Sequence, residues 1–405
     1  MRILQINCVY GQGSTGKITR DIHMALHEKG IESYVCYGRG KKTEDKNVIL
    51  VSSDFMSRIR RMISSLDGMT YNFTRWTNLK LHKEILTIDP DVVHLQCING
   101  YFVDVYRLLE FLKRNNIPTV LTLHAEFMHT GGCGYALDCN QWIDGCQKYK
   151  RLKSGLGVIG LDNVKKNYLK MKHVMKGFEK LTVVGVSEWI SSRALKSQIM
   201  SDINIMTIHN GIDTTNVFYP RNTYSIRQKY GIPEEKKIVL SVVPNLISDL
   251  KGGKLMMELA HETIFKDHLF VIVGAKESVE DKPENLIIIP YTESQNELAE
   301  IYSTADVFVM GSKMDNYPTV CIEANSCGTP VVGFDVGGVS ETIYEDMGCT
   351  VPYGDIEMMK TKINEWIEKK NEISKNVKNA VVWRNSKERM IEDYLKVYCE
   401  ILGEK

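Results

Sequence analysis

The chain has 405 residues, 51 of them basic and 50 acidic, so a net charge of +1 supplies no global field to draw nucleic acid or an acidic protein. That length exceeds what one hydrophobic core spans, and two domains are expected. No apolar run approaches the ~18 residues of a membrane span, and the amino terminus enters a strand at once with no room for a signal peptide, which points to the cytoplasm. Ten cysteines in such a chain read as free thiols or a metal site rather than disulfides.

In chain order, residues 2–7 read as a strand, Gly11-Gln-Gly-Ser-Thr-Gly16 as a glycine turn, and residues 18–28 as an amphipathic helix closed by Gly30. The turn fits the dinucleotide fingerprint. It also fits a P-loop as far as Lys17, but Ile18 stands where that loop needs its Mg²⁺-binding hydroxyl. A dinucleotide site wants an acid near the end of the second strand, whereas residues 32–38 run into Arg39, which leaves NADP as an alternative. Every reading shares one piece of physics: glycines, Gly13 and Gly16 among them, let a backbone turn approach a diphosphate at a helix amino end.

Further on, Phe55, Ile59, Met62, Ile63 and Leu66 share one helical face with Arg58, Arg60 and Arg61 around it. That pattern suits an anionic membrane surface, and equally a core-facing helix with a solvated basic side. Apolar strands at residues 90–96 and 119–124 flank a helix at 106–115. Their carboxyl ends deliver His94, Gln96 and Asn99 from one and His124 and Glu126 from the other, all candidate site groups; for His94 a structural role in the core is an equal reading. The loop that follows carries Cys133, Cys139 and Cys146. With His129 these make four N or S ligands suited to structural Zn²⁺, free thiols being the alternative. Residues 148–180 hold ten Lys and Arg against Asp162 and Glu179, the strongest local charge bias in the chain.

Strands at residues 181–186 and 203–209 lead into Asn210-Gly211-Ile212-Asp213, and the polar stretch 219–237 precedes a second series of strands at 238–243, 269–274, 286–290, 305–310 and 331–334. Strands alternate with helices on both sides, which favours two doubly wound α/β domains facing a cleft. The boundaries expected are 1–215, 216–383 and a last helix within 384–405, whose Met390, Ile391, Tyr394, Leu395, Val397 and Tyr398 lie on one side.

The densest chemistry lies between Met310 and Ile343. A buried strand ends at Gly311 and Ser312, Thr319 is a plausible N-cap for residues 320–325, and Gly328 closes that helix before the strand 331–334. In such sheets ligands bind beyond the carboxyl ends of the strands, and free N–H groups at a helix start suit a phosphate. Asp315 and Glu323 stand eight residues apart where both can address one ligand; a turn-capping Asp315 beside a solvated Glu323 is the plainer account.

An acid, seven residues and a glutamate, then Gly328-Thr-Pro-Val-Val332 and Gly337-Gly338, together resemble the signature of retaining glycosyltransferases of family 4. The cysteine-bearing loop is similar to that of colanic-acid and related capsule glycosyltransferases, with Tyr149 in the place of a fourth cysteine. This resemblance covers essentially the whole chain. It implies the GT-B architecture, two Rossmann-like domains with a carboxyl-terminal helix crossing back to the first. It further implies a UDP- or GDP-sugar donor, a polyprenyl-diphosphate-linked glycan acceptor, work at the inner membrane surface through basic segments, and neither cofactor nor catalytic metal. By the same resemblance Glu323 binds the ribose, Asp315 and the Asn316, Tyr317, Pro318 and Thr319 backbone the sugar, Lys251 the diphosphate, and Pro290 and Tyr291 the base edge. The resemblance also implies that His124 reaches the transferred sugar and that His94, Gln96, Asn99 and Glu126 lie on the acceptor side. The family's arginine six residues before that lysine is Asn245 here, an amide that hydrogen-bonds without charge. A nucleotide-sugar epimerase of the same architecture, an NADP oxidoreductase and a non-catalytic sugar-nucleotide sensor are the other classes.

Overall fold

A computed structural model describes residues 1–72, 75–148, 161–247, 250–276 and 282–403; Tyr149 lies outside them. The chain divides into two compact units, Met1–His209 with Met390–Lys405, and Asn210–Arg389. Each is built on one parallel sheet.

In the first unit the strands β1 (Arg2–Asn7), β2 (Glu32–Tyr37), β3 (Val48–Leu50), β4 (Val92–Leu95), β5 (Thr119–Leu123), β6 (Leu181–Gly185) and β7 (Asn204–Thr207) lie in the order β3-β2-β1-β4-β5-β6-β7. Helices cover both faces, so the central strands are buried on both sides, with Ile3, Leu4, Ile6, Val92, Val93 and Val120 excluded from solvent. The helix Lys387–Leu402 is part of this core: Met390, Ile391, Tyr394 and Val397 pack with Ile3, Ile18, Ile22 and Leu26. Its buried face is the one its apolar spacing marks.

The second unit holds β8 (Lys237–Val242), β9 (His268–Val273), β10 (Leu286–Ile289), β11 (Val307–Met310), β12 (Val331–Phe334) and β13 (Gly348–Val351), in the order β10-β9-β8-β11-β12-β13. Strand order therefore reverses between β8 and β11, as it does between β1 and β4 in the first unit. Ligand sites in doubly wound sheets form at such reversals, outside the strands' carboxyl ends.

Two of the edge strands, β3 and β13, escape a sequence reading because they are only 3 and 4 residues long and only partly buried. The segments that leave and re-enter the second unit run side by side: Ile212 N donates to Asn385 O at 2.9 Å, Lys387 N to Ile212 O at 2.8 Å, and the Lys387 ammonium meets Asp213 Oδ2 at 2.6 Å. This pairing places residues 210–215 with the second unit and the start of the last helix with them. Gly211 makes the approach feasible, since a Cβ there would fall on the Ser386 carbonyl. Among the described residues no helix is long and apolar enough to cross a membrane.

Candidate functional site

In the second unit the loops after β8 and β11 are locked together at the reversal. Gly252, at φ +79°, lets its backbone lie against Gly311, where any side chain would collide, and Lys313 N donates to Leu250 O at 3.0 Å. This contact brings Lys251 and Asp315 together across 64 residues: Nζ meets Oδ2 at 2.6 Å, in a half-exposed pair. Asp315 is also held from behind, because its carbonyl accepts from Gly338 N at 2.9 Å and packs against Gly337, whose φ of +61° keeps that approach open.

Immediately after Asp315 the chain buries Asn316 and Tyr317, and burial pushes the Tyr317 hydroxyl up to about 12. The helix Thr319–Ser326 then begins, one residue earlier than its sequence suggests: Pro318 occupies the N-cap and Thr319 the first helical position. Proline's φ of −69° suits that entry, and no side chain caps the helix start. The first-turn N–H groups thus carry their partial positive charge beside the Lys251–Asp315 pair.

Glu323 lies further along that helix at 7% exposure, and one of its oxygens accepts from Tyr302 OH at 2.9 Å. Burial together with this carboxylate pushes the Tyr302 hydroxyl well above its ordinary value. Glu323 is therefore not the solvated glutamate that spacing alone allows. Asn245 uses its Oδ1 to accept from Ile247 N at 2.8 Å, which shapes the turn before Lys251. Pro290 and Tyr291 follow β10 on the same edge of the sheet, exposed, with Lys276 Nζ 5.7 Å from the tyrosine ring centre.

The first unit carries its own chain of polar groups. Gln5 Nε2 donates to Thr19 O at 3.1 Å, Gln96 Nε2 donates to Gln5 Oε1 at 3.3 Å, and Gln96 Oε1 then faces His124 Nε2 at 2.8 Å. With the amide so oriented, the imidazole hydrogen sits on Nε2. Burial lowers His124 to about 4, so the ring is neutral at physiological pH. Asn7 ties the glycine-turn helix Gly13–Glu28 to the sheet, donating to Thr15 O and Thr19 Oγ1 while its Oδ1 accepts from Cys8 N and Cys97 N. Gly11 and Gly13 take positive φ, and a Cβ on Gly16 would press on Val9 and the Gly11 nitrogen. Asn99 is half-buried and accepts from Cys97 Sγ at 2.9 Å.

Three sequence expectations change here. His94 is excluded from solvent, with Nδ1 on Tyr398 OH at 2.7 Å and Nε2 on Thr122 Oγ1 at 2.8 Å, and burial lowers it to about 3; it belongs to the core, not to an acceptor surface. Glu126 is likewise buried, accepting from Arg193 Nε at 2.7 Å and Ala136 N at 2.7 Å. Burial works to raise its carboxyl, but His129 and Arg193 outweigh that and hold it below its ordinary value. His129 turns its Nε2 to Glu126 at 3.5 Å and its ring against Trp142. Among the described residues no three His, Cys, Asp or Glu are gathered to hold a metal, so Cys133, Cys139, Cys146 and His129 do not form the four-ligand set that their spacing suggests. The partners that decide these fates, Tyr398, Arg193 and Tyr302, carry no local signal; only the fold brings them in.

Two Rossmann-like units with polar loops at the carboxyl edges make up the GT-B architecture, and family comparison places the chain among the glycosyltransferases. Residues 15–216 match the model of Glycosyltransferase Family 4 and residues 222–382 that of glycosyl transferases group 1, and the chain belongs to this family. The NADP oxidoreductase reading of the glycine turn gives way to it.

Among its relatives is WcaC of Escherichia coli K12, whose name places it in colanic acid biosynthesis as a glycosyl transferase. The two are 22% identical over 98% of this chain and 99% of that one. The N-acetyl-alpha-D-glucosaminyl L-malate synthase of Bacillus anthracis is 23% identical over 76% of this chain and 84% of its own. Among solved structures, sucrose-phosphate synthase from Thermosynechococcus elongatus superposes with a TM-score of 0.68 at 14% identity over the full length of both chains. Anabaena HepE in complex with UDP-glucose gives 0.65 at 13% identity, covering 99% of this chain and 100% of that one.

Proposed function

We propose that this glycosyltransferase moves a sugar from a nucleoside-diphosphate sugar to a lipid-linked glycan with retention of configuration, needing neither a cofactor nor a metal ion. The observation that carries the reading is the Lys251–Asp315 pair beside the uncapped start of the helix Thr319–Ser326. A donor diphosphate is a stronger partner for an ammonium and a helix start than one carboxylate is, so its arrival frees Asp315 for the hydroxyls of the transferred sugar. Glu323 is then the ribose ligand and Tyr291 the platform beside the base. The UDP-glucose held by HepE supports a UDP-sugar donor, and the name of WcaC supports surface polysaccharide as the product.

In the step itself the bond between the anomeric carbon and the phosphate oxygen breaks, and the acceptor oxygen bonds to the same face. The acceptor's proton passes to the departing phosphate. Charge grows on the leaving diphosphate, where Lys251 and the first-turn N–H groups meet it, which is the part a divalent cation plays in other transferases. Asp315, once released from Lys251, holds the sugar's hydroxyls and does not act as a nucleophile in this step.

The test is a panel of UDP-, GDP- and ADP-sugars with released nucleotide as the readout, with and without EDTA and with and without a polyprenyl-diphosphate glycan. Nucleotide release that requires acceptor and survives EDTA is expected. Conversion of the donor sugar without acceptor would indicate an epimerase, and a complete, Mn²⁺-reversible loss in EDTA would overturn the metal-independent step.

A further inference from the structure

Two cysteines meet at the strand-order reversal of the first unit, where the sugar-transfer step makes no use of them. Cys8 follows β1 and Cys97 follows β4, neighbouring parallel strands in register through Ile6 and Leu95. Past that register the two residues stay side by side: Cys8 N donates to Cys97 O at 2.9 Å, and both backbone N–H groups converge on Asn7 Oδ1, at 2.8 and 3.1 Å. Neighbouring strands run about 4.8 Å apart, inside the Cα separation of roughly 4.4–6.8 Å that a disulfide spans. The side chains meet as well, because the two thiols share a hydrogen bond. Gly100 makes room for Cys8, since a Cβ there would lie 2.6 Å from the Cys8 Cβ.

The surroundings make the two thiols unequal. The hydrogen bond with Cys97, and then the Arg39 guanidinium, hold Cys8 below the ordinary thiol value although burial works to raise it. Arg39 is brought there by its own backbone, its N donating to Cys8 O at 3.0 Å. Cys97 is pushed well above that value by the same hydrogen bond and by burial, and its thiol donates to Asn99 Oδ1 at 2.9 Å. The thiolate is the nucleophile, so one sulfur is set to attack and the other to resolve. Burial pushes the thiols of Cys36, Cys321 and Cys327 up, which keeps those cysteines inert. Cys8 is 5% exposed and Cys97 half-buried at the carboxyl edge of the sheet, which admits a small oxidant and keeps a large one away.

We propose that Cys8 and Cys97 are an oxidisable dithiol that a peroxide closes to a disulfide. The Cys8 thiolate attacks one peroxide oxygen, the O–O bond breaks and hydroxide leaves, giving a sulfenic acid on Cys8. The Cys97 sulfur then attacks the Cys8 sulfur, the S–O bond breaks, and the departing oxygen takes the Cys97 proton and leaves as water. Two thiols thus lose two electrons and two protons while one peroxide becomes two waters. Closure withdraws the S–H from Asn99 and ties the start of the glycine turn to the end of β4, and a thiol reductant reopens it. The inference stands on these two thiols and not on the sugar-transfer reading.

Peptide mapping of the whole protein tests it. After brief exposure to hydrogen peroxide, denaturing alkylation should find two fewer free thiols among the ten and a linked peptide joining Cys8 to Cys97, both reversed by dithiothreitol. Cys97→Ser should stop at the sulfenic acid, trapped by dimedone on Cys8, whereas Cys8→Ser should leave Cys97 unlabelled. Arg39→Gln, at an exposed position, should slow closure about threefold, because a neighbouring cation raises the thiolate fraction about tenfold and lower nucleophilicity offsets part of that. The wild-type map decides the question even where a variant fails to fold. Ten alkylated thiols after peroxide, or linkage among other cysteines with Cys8 and Cys97 left free, would overturn the inference. So would equal dimedone labelling of Cys8 and Cys97 in the two serine variants.

Discussion

Lys251 and Asp315 form a 2.6 Å ion pair, and in the proposed reaction a donor diphosphate opens it, which sets what single substitutions should do. A fixed ammonium beside a leaving diphosphate stabilises the transition state more than the bound donor, so Lys251→Ala should lower kcat by roughly 10²-fold, read by steady-state kinetics with donor saturating. Asn245→Arg gives up the Ile247 cap but adds charge near the same loop; it should tighten donor binding or partly restore the Lys251→Ala enzyme. Glu323 behaves differently because it is buried against Tyr302. In Glu323→Gln an oxygen remains to accept from Tyr302 OH, so folding is kept, and a contact made equally before and during reaction is lost, which should raise donor KM with little change in kcat. Glu323→Ala should in addition cost ~1–3 kcal/mol of stability in denaturant titration, because a buried hydroxyl loses its acceptor.

At the scale of elements, the Gly252–Gly311 contact and the last helix carry the most consequence. Gly252→Val combines a φ of +79° with a side chain driven into the Gly311 backbone, and should destabilise the second unit by more than ~2 kcal/mol in urea titration while leaving the first unit's transition unchanged. The helix Lys387–Leu402 comes last in the chain yet fills the first unit's core, where Tyr398 OH meets His94 and Tyr394 OH meets Thr122 Oγ1 at 2.9 Å. Ending the chain at Arg389 uncovers Ile3, Ile18, Ile22 and Leu26, so limited proteolysis should degrade the first unit and spare the second.

For the molecule as a whole, buried imidazoles set the response to acid. Burial lowers His94 to about 3, and His23 and His124 to about 4, from an ordinary 6.5. These rings are neutral when folded and protonated when unfolded below 6.5, so the unfolded chain binds more protons there. Stability is full above pH 6.5 and declines as pH falls from 6.5 toward 3, with the carboxyl of Glu126 acting in the same direction at the acid end. Differential scanning calorimetry should show Tm dropping by more than ~5 °C between pH 7 and 5, and more shallowly in His94→Gln.

The amino-acid sequence by itself determined the alternation of strands and helices, since β1 and β12 are apolar runs bounded by polar or glycine residues and need no distant partner to be recognised. It also determined the neighbourhood of the chemistry, because Lys251, Asp315 and Glu323 sit where parallel strands end. Tertiary structure decided what those residues touch. Periodicity placed a stripe on the helix Asp54–Asp67, but either face of an amphipathic helix can turn inward, and only Phe102 and Thr77, which take the Arg60 guanidinium, settled which one did. His94 and Glu126 look alike in sequence as polar groups at strand ends. Tyr398, 304 residues away, and Arg193, 67 residues away, made them part of the core. Burial and partner choice are set by segments remote in the chain, and no local pattern of residue types encodes which of them will arrive.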